Sequence, residues 1–230
     1  MKSHSLIEKI RIREEISRRY NYNALSRYKP YPKQIEFHKA GALHHERLLC
    51  AGNQCGKSLS AAAEMAIHLT GRYPDWWEGA TFNKPITMWA SGVTGESTRD
   101  NPQRLLVGPP AVKTDWGVGM IPGECLIETN LAMGIKNALD SVVVRWGGGG
   151  DIQSKHSILG FKSYEKGRER WQGPSLDIVA FDEEPPMDIY QEGKTRTQNG
   201  QNSIFTMVTF TPLKGMSSVV RMFLQDETKE

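Results

Sequence analysis

The sequence has no long apolar run. Nothing in its 230 residues approaches the roughly 20 consecutive apolar side chains that cross a bilayer. Its start, MKSHSLIEKIRIREE, sets charges where a signal peptide requires an apolar stretch, so the expectation is a chain that is neither secreted nor held in a membrane. Cysteine is scarce: Cys50, Cys55 and Cys125 are odd in number and lack C-x-x-C spacing, which argues against a disulfide framework or a zinc site and fits a reducing cytoplasm. The excess of one charge sign is small. A formal +3 does not diagnose a nucleic-acid binder, although residues 1–50 hold 11 Lys and Arg against 5 Asp and Glu. Such a basic front is more often a solvated helix face than a phosphate-contacting one. Internal repeats and low-complexity tracts are missing too.

What is present is enough for a full core, with 38% hydrophobic residues. Ser5-x-x-Glu8 has the form of a capping box, and Leu6, Ile10 and Ile16 recur near helical spacing, predicting an amphipathic helix over 5–19. A polar stretch with Pro30 and Pro32 breaks it, and a short helix over 33–42 leads into a strand at 48–51. An Ala-rich helix over 57–69 ends at Thr70-Gly71. A strand at 86–91 and a helix at 97–107 follow. Residues 108–136, rich in Gly and Pro, are expected to be a long surface excursion. Strands at 142–146 and 157–161 flank the glycines 147–150, and the apolar or β-branched runs 178–181 and 204–210 suit strands buried on both faces of a parallel sheet. This alternation is that of an α/β fold.

Two motifs carry chemistry. Ala51-Gly-Asn-Gln-Cys-Gly-Lys-Ser58 matches the phosphate-loop pattern except that Ala stands at the first Gly. The chemistry needs a tight turn whose N–H groups converge on a phosphate at a helix N-terminus, a mobile positive charge and a hydroxyl for magnesium. Gly52, Asn53, Gln54, Cys55 and Gly56 form the turn, Lys57 supplies the charge and Ser58 the hydroxyl. The second motif is Leu176-Asp-Ile-Val-Ala-Phe-Asp-Glu-Glu184, an apolar strand ending in acids. There Asp182 is a candidate for the magnesium shell, and Glu183 for orienting or deprotonating the attacking water. Glu184, followed by Pro185-Pro186, is expected to face solvent. ATP with Mg2+ is the expected substrate. A guanine motif is missing, since Asn83-Lys84-Pro85-Ile86 has the wrong last residue, and so are the kinase G-x-G-x-x-G and His-Arg-Asp runs.

Together, Tyr31-Pro-Lys-Gln34, the loop Ala51–Ser58, Gly167-Arg-Glu-Arg-Trp-Gln-Gly173, Phe181-Asp-Glu-Glu-Pro-Pro186 and Thr209-Phe-Thr-Pro212 resemble the ATPase part of the large terminase subunit of tailed phages, nearest its P22-like branch. The resemblance implies a RecA-like ASCE P-loop NTPase with a mainly parallel central sheet flanked by helices. The resemblance runs from about residue 28 to about residue 222, so a motor domain is expected over 28–230, preceded by the N-terminal helical arm over 1–27 that the helical spacing near the start suggests. It also implies a motor that drives double-stranded DNA into a procapsid, self-associated into a ring on the portal protein, with the small terminase subunit as partner, in the host cytoplasm and without a membrane. By the same resemblance Gln34 reads the adenine edge with Tyr31 stacking nearby. Arg170, with Arg168 as runner-up, is the arginine finger lent to a neighbouring subunit, and Thr209 and Thr211 form the coupling motif. Many terminases carry an Arg inside the phosphate loop, where this sequence has Asn53.

Two other readings fit fewer of these residues. Half of a superfamily 2 helicase shares the upstream Gln and a Thr-x-Thr motif but calls for a second RecA domain. A nucleotide-dependent binding switch for DNA or a partner has no use for Glu183 as a water activator. Full-length large terminases continue into a nuclease domain with clustered carboxylates, whereas this sequence ends 18 residues after Pro212. The purified chain is therefore expected not to nick plasmid DNA with a divalent metal; metal-dependent nicking contradicts that expectation.

Overall fold

The computed structural model describes residues 6–147, 155–198, 205–211 and 217–226. Seven strands form one sheet: β1 Glu46–Cys50, β2 Thr87–Gly92, β3 Leu126–Leu131, β4 Leu139–Arg145, β5 His156–Ser163, β6 Ile178–Asp182 and β7 Phe205–Phe210. Their spatial order is β1-β7-β6-β2-β5-β4-β3. The first five in that order run parallel, and β4 and β3 extend the sheet antiparallel. β7 thus lies between the strand that enters the phosphate loop and the strand that ends in acids, the arrangement expected of an ASCE P-loop fold.

Period-two alternation sends side chains to two cores. On one face Met88, Ala90, Ile178, Ala180, Phe205 and Met207 meet α3, Lys57–Thr70. On the other, Trp89, Val179, Phe181, Val208 and Phe210 meet α6, Met187–Arg196, and α7, Ser218–Asp226. The central strands β6 and β7 are buried on both faces, as their apolar composition leads one to expect. At the front are α1, Leu6–Asn21, and α2, Pro32–Ala40. Among the described residues no helix is long and apolar enough to cross a membrane.

Residues 108–136 are not the surface excursion expected of them. They bury Met120, Ile121 and Cys125 and supply β3. β3 is an edge strand whose polar outer positions, Glu128 and Asn130, leave little alternation to read. The helix after β2 starts earlier than expected, as α4 Gly95–Thr98, a π turn Arg99–Gln103 and α5 Arg104–Leu106. Pro102 sits inside the π turn, where its missing N–H and ring are accommodated by the wider coil. Neither α6 nor α7 is anticipated by the sequence reading. Ser5, Gly148–Gly150, Ile204 and Pro212 lie outside the described residues.

Behind α3 a charged cluster is buried. Glu64 receives Arg47 Nη2 at 2.5 Å and His38 Nδ1 at 2.6 Å, with His68 Nε2 at 3.6 Å. Burial alone would raise the Glu64 carboxyl, yet Arg47 and the two histidines hold it well below the usual carboxylate range. Burial pushes His68 below its ordinary value of 6.5, against the pull of Glu64. Both shifts have one sign for stability. A depressed carboxylate loses its contribution as pH falls, and a histidine kept neutral in the fold leaves the unfolded chain to take up the proton. The unfolding midpoint is therefore expected to drop between about pH 7.5 and about pH 5.5, and His68→Asn to flatten that drop; a midpoint that rises on acidification contradicts it. Glu64→Ala, which strands Arg47, is expected to cost about 3–5 kcal/mol in denaturant melts.

Candidate active site

The parallel strands deliver their carboxyl ends to one edge of the sheet. Leu49 and Asp182 both pair with Thr209, and Cys50 with Phe210, so the loop entry, the acidic strand tip and the Thr209–Thr211 tip share that edge. Gln54 and Gly56 adopt left-handed backbone, φ 61° and 72°, which turns the chain sharply into α3. Glycine suits position 56 by its positive φ, and a Cβ there would stand 3.1 Å from Gln34 Nε2, which would have to give way. The 14-residue α3 then presents its N-terminal N–H groups and positive dipole end at the loop, a ready anion site.

Two hydrogen-bonded groups converge there. Lys57 Nζ donates to Gly52 O at 2.6 Å and to Thr211 Oγ1 at 2.9 Å, while Thr211 Oγ1 donates to Asn53 Oδ1 at 2.9 Å. Beside them Asp182 Oδ1 accepts from Ser58 Oγ at 2.7 Å and Thr209 Oγ1 at 3.2 Å. Burial raises the Asp182 carboxyl from its ordinary value, opposed by the Ser58 and Thr209 hydroxyls and by Lys57. A hydroxyl and a carboxylate side by side are hard oxygen donors that suit magnesium, which usually takes one or two protein oxygens and fills its shell with water and phosphate. Among the described residues no group of three or more His, Cys, Asp or Glu side chains could hold a metal ion.

The other expected site residues divide. Gln34 is buried and its amide is taken up by protein: Nε2 donates to Gly56 O at 3.2 Å and Cys55 O at 3.4 Å, and Oε1 accepts from Tyr31 N at 3.0 Å and Tyr28 Oη at 3.3 Å. Tyr31 is 68% exposed, open to stack. Glu183 follows Asp182 with φ 67° and its N–H donates to Thr209 O at 2.8 Å. Glu184, expected to face solvent, is half-buried. Arg170 is not brought to this cluster. It is exposed on the turn Arg168–Trp171 beyond β5, and its guanidinium hydrogen-bonds no described residue. Arg168 pairs with Glu192, Nε to Oε2 at 3.0 Å. The sequence reading missed Tyr164, whose hydroxyl reaches the main chain of Asp182 and Glu183. No local pattern marks a contact made across two strands.

Lys57 is the positive charge nearest the loop carbonyls, and the hydrogen bond it would give a phosphate is of the charged kind. Lys57→Ala is expected to weaken binding of a fluorescent ATP analogue about 10- to 100-fold with little change in unfolding midpoint; unchanged affinity contradicts the assignment.

Residues 48–230 match the family model of the T4likevirus-type terminase large subunit, N-terminal part. The large terminase subunit of Salmonella phage P22 is 41% identical over 236 residues, which cover 97% of this chain and 47% of that relative. The chain spans about half the length of the curated relatives it matches. Among solved structures, the large terminase ATPase domain of Thermus phage P74-26 is similar with a TM-score of 0.54 at 18% identity, over 84% of this chain and 69% of that one. The large terminase of a thermophilic bacteriophage in complex with ATP-gamma-S has a TM-score of 0.50 at 11% identity, over 86% of this chain and 43% of that one. The chain belongs to the terminase large subunits, matching the N-terminal, T4likevirus-type part of that family.

Proposed function

We propose that this chain hydrolyses ATP with magnesium and that hydrolysis drives double-stranded DNA into a procapsid, with copies of the chain sharing active sites in a ring on the portal. The observation that carries the reading is the junction at Asp182, where Ser58 from α3 and Thr209 from β7 meet one carboxylate oxygen beside Lys57 and Thr211. The thermophilic phage terminase solved with ATP-gamma-S supports a nucleotide as ligand.

In this reading Ser58 and Asp182 would hold a magnesium ion, which would supply positive charge against the phosphates. Lys57 leaves Gly52 and Thr211 for the phosphates, and Glu183 orients or deprotonates the attacking water. Gln34 and Tyr31 serve the adenine end, for which the Gln34 amide has to turn from the loop carbonyls. Thr209 and Thr211 are hydrogen-bonded to the two side chains that rearrange most, so β7 is the strand that senses phosphate loss. Arg170 serves a neighbour. Its guanidinium has no partner among the described residues, and β5, which leads to it, lies four strand positions from β1, about 19 Å across the sheet at about 4.8 Å per strand. A guanidinium supplied in trans stabilises charge developing on the transferred phosphoryl.

Glu183→Ala and Arg170→Ala are each expected to cut ATP turnover at least about 100-fold. Their one-to-one mixture at high protein concentration is expected to recover turnover, up to about a quarter of sites being complete by random assembly. A mixture no more active than its parents would overturn the sharing of sites. Nucleotide binding without turnover in the wild type itself favours the binding switch instead.

A further inference from the structure

Tyr164 directly follows β5 and is buried. Its single phenolic proton is shared between two main-chain carbonyls, Asp182 O at 2.9 Å and Glu183 O at 3.0 Å. Burial pushes its hydroxyl well above the usual tyrosine value, so it keeps that proton at any working pH. β2 lies between β5 and β6 in the sheet, so the contact reaches over the tip of a whole strand to find these two oxygens. Backbone–backbone ladder bonds do not explain it.

The reason lies in Glu183. Its φ of 67° is left-handed, a conformation that a side chain with a Cβ keeps only where the surroundings over-determine it. Here they do. The peptide group before Glu183 is fixed at both ends, its N–H given to Thr209 O at 2.8 Å and its carbonyl, that of Asp182, taken by Tyr164. The peptide group after Glu183 is fixed by its carbonyl, again by Tyr164. With both flanking peptide planes pinned, the direction of the Cα–Cβ bond is set, and with it the point from which the carboxylate reaches out. The ring itself is clamped. Tyr164 packs 6.1 Å from both Trp171 and Phe181, and those two stack on each other at 5.2 Å and 10°. Trp171 is wholly buried and its Nε1 donates to Ser163 O at 3.4 Å.

We propose that Tyr164 is a positioning residue for ATP hydrolysis, its hydroxyl holding the two carbonyls at the tip of β6 so that the Glu183 carboxylate meets the attacking water. The proposal rests on the role of Glu183 given above. Tyr164 is buried and acts through the backbone.

Tyr164→Phe keeps the ring packing and deletes only the hydroxyl. Its turnover number is expected to fall about 10- to 100-fold, the scale on which a small misplacement of a reacting group acts. Its ADP affinity and its KM for ATP are expected to stay within about twofold of wild type, because ground-state binding does not use Glu183. Mixed one-to-one with Arg170→Ala, it is expected to recover turnover as the Glu183→Ala and Arg170→Ala pair does, since its own Arg170 remains fit to donate. General damage to the fold would instead impair that donation. Wild-type turnover in Tyr164→Phe overturns the proposal. So does loss of ADP binding together with turnover, and so does failure of its mixture where the Glu183→Ala mixture recovers. Should Glu183→Ala itself hydrolyse ATP like wild type, the role read for Glu183 falls first and the proposal with it, an outcome distinct from the other three.

Discussion

One carboxylate oxygen ties three elements together. Asp182 Oδ1 sits at the end of β6, takes the Ser58 hydroxyl from the first turn of α3 and takes the Thr209 hydroxyl from β7. Hydrogen bonds to a charged acceptor of this kind are worth about 1.5–3 kcal/mol each, and here the two hydroxyls oppose the upward push of burial on the Asp182 carboxyl. Everything else at the edge of the sheet follows from holding that point. The phosphate loop ends where Ser58 is anchored, Glu183 begins where Asp182 ends, and Thr211, two residues past Thr209, reaches Lys57 and Asn53. A ligand that separates Ser58 from Asp182 acts on the same oxygen that Thr209 holds, so in the proposed function β7 stands next to the change.

Behind that edge a polar network stiffens the phosphate loop. Gln34 grips the Cys55 and Gly56 carbonyls. Tyr28 joins Gln34 to His38 and Ser60, and His38 reaches Glu64 and so Arg47. The loop is therefore bonded, through one continuous polar path, to an ion cluster in the core. Such a cluster adds little net stability over apolar packing but punishes the loss of any one partner, so it fixes the loop's position more than it stabilises the fold.

Most of the sheet was legible in the sequence because its central strands are short apolar or β-branched runs, such as Ile178–Asp182 and Phe205–Phe210, bounded by acids or turns. The loop was legible because its glycine, lysine and serine are adjacent in the chain. What escaped was tertiary or irregular. β3 carries Glu128, Thr129 and Asn130 on an antiparallel edge and so lacks an apolar signature. α6 opens after Pro185-Pro186 and contains Gly193, which lowers its helical signal although Gly193 packs its backbone close to Phe181. Tyr164 looked like any aromatic at a strand end, since its partners lie 18 and 19 residues on. Gln34 stood out in the sequence by resemblance, but its grip on the loop backbone did not.

In the proposed function Mg2+ and ATP occupy the Asp182 junction and rearrange it. A crystal structure of the chain with ADP, magnesium and beryllium fluoride tests it most directly. The account predicts the ion between Ser58 and Asp182, now parted, with Lys57 Nζ on the phosphates and no longer on Gly52 O or Thr211. A nucleotide bound elsewhere, or bound with the Ser58–Asp182 and Lys57–Thr211 hydrogen bonds intact, contradicts it.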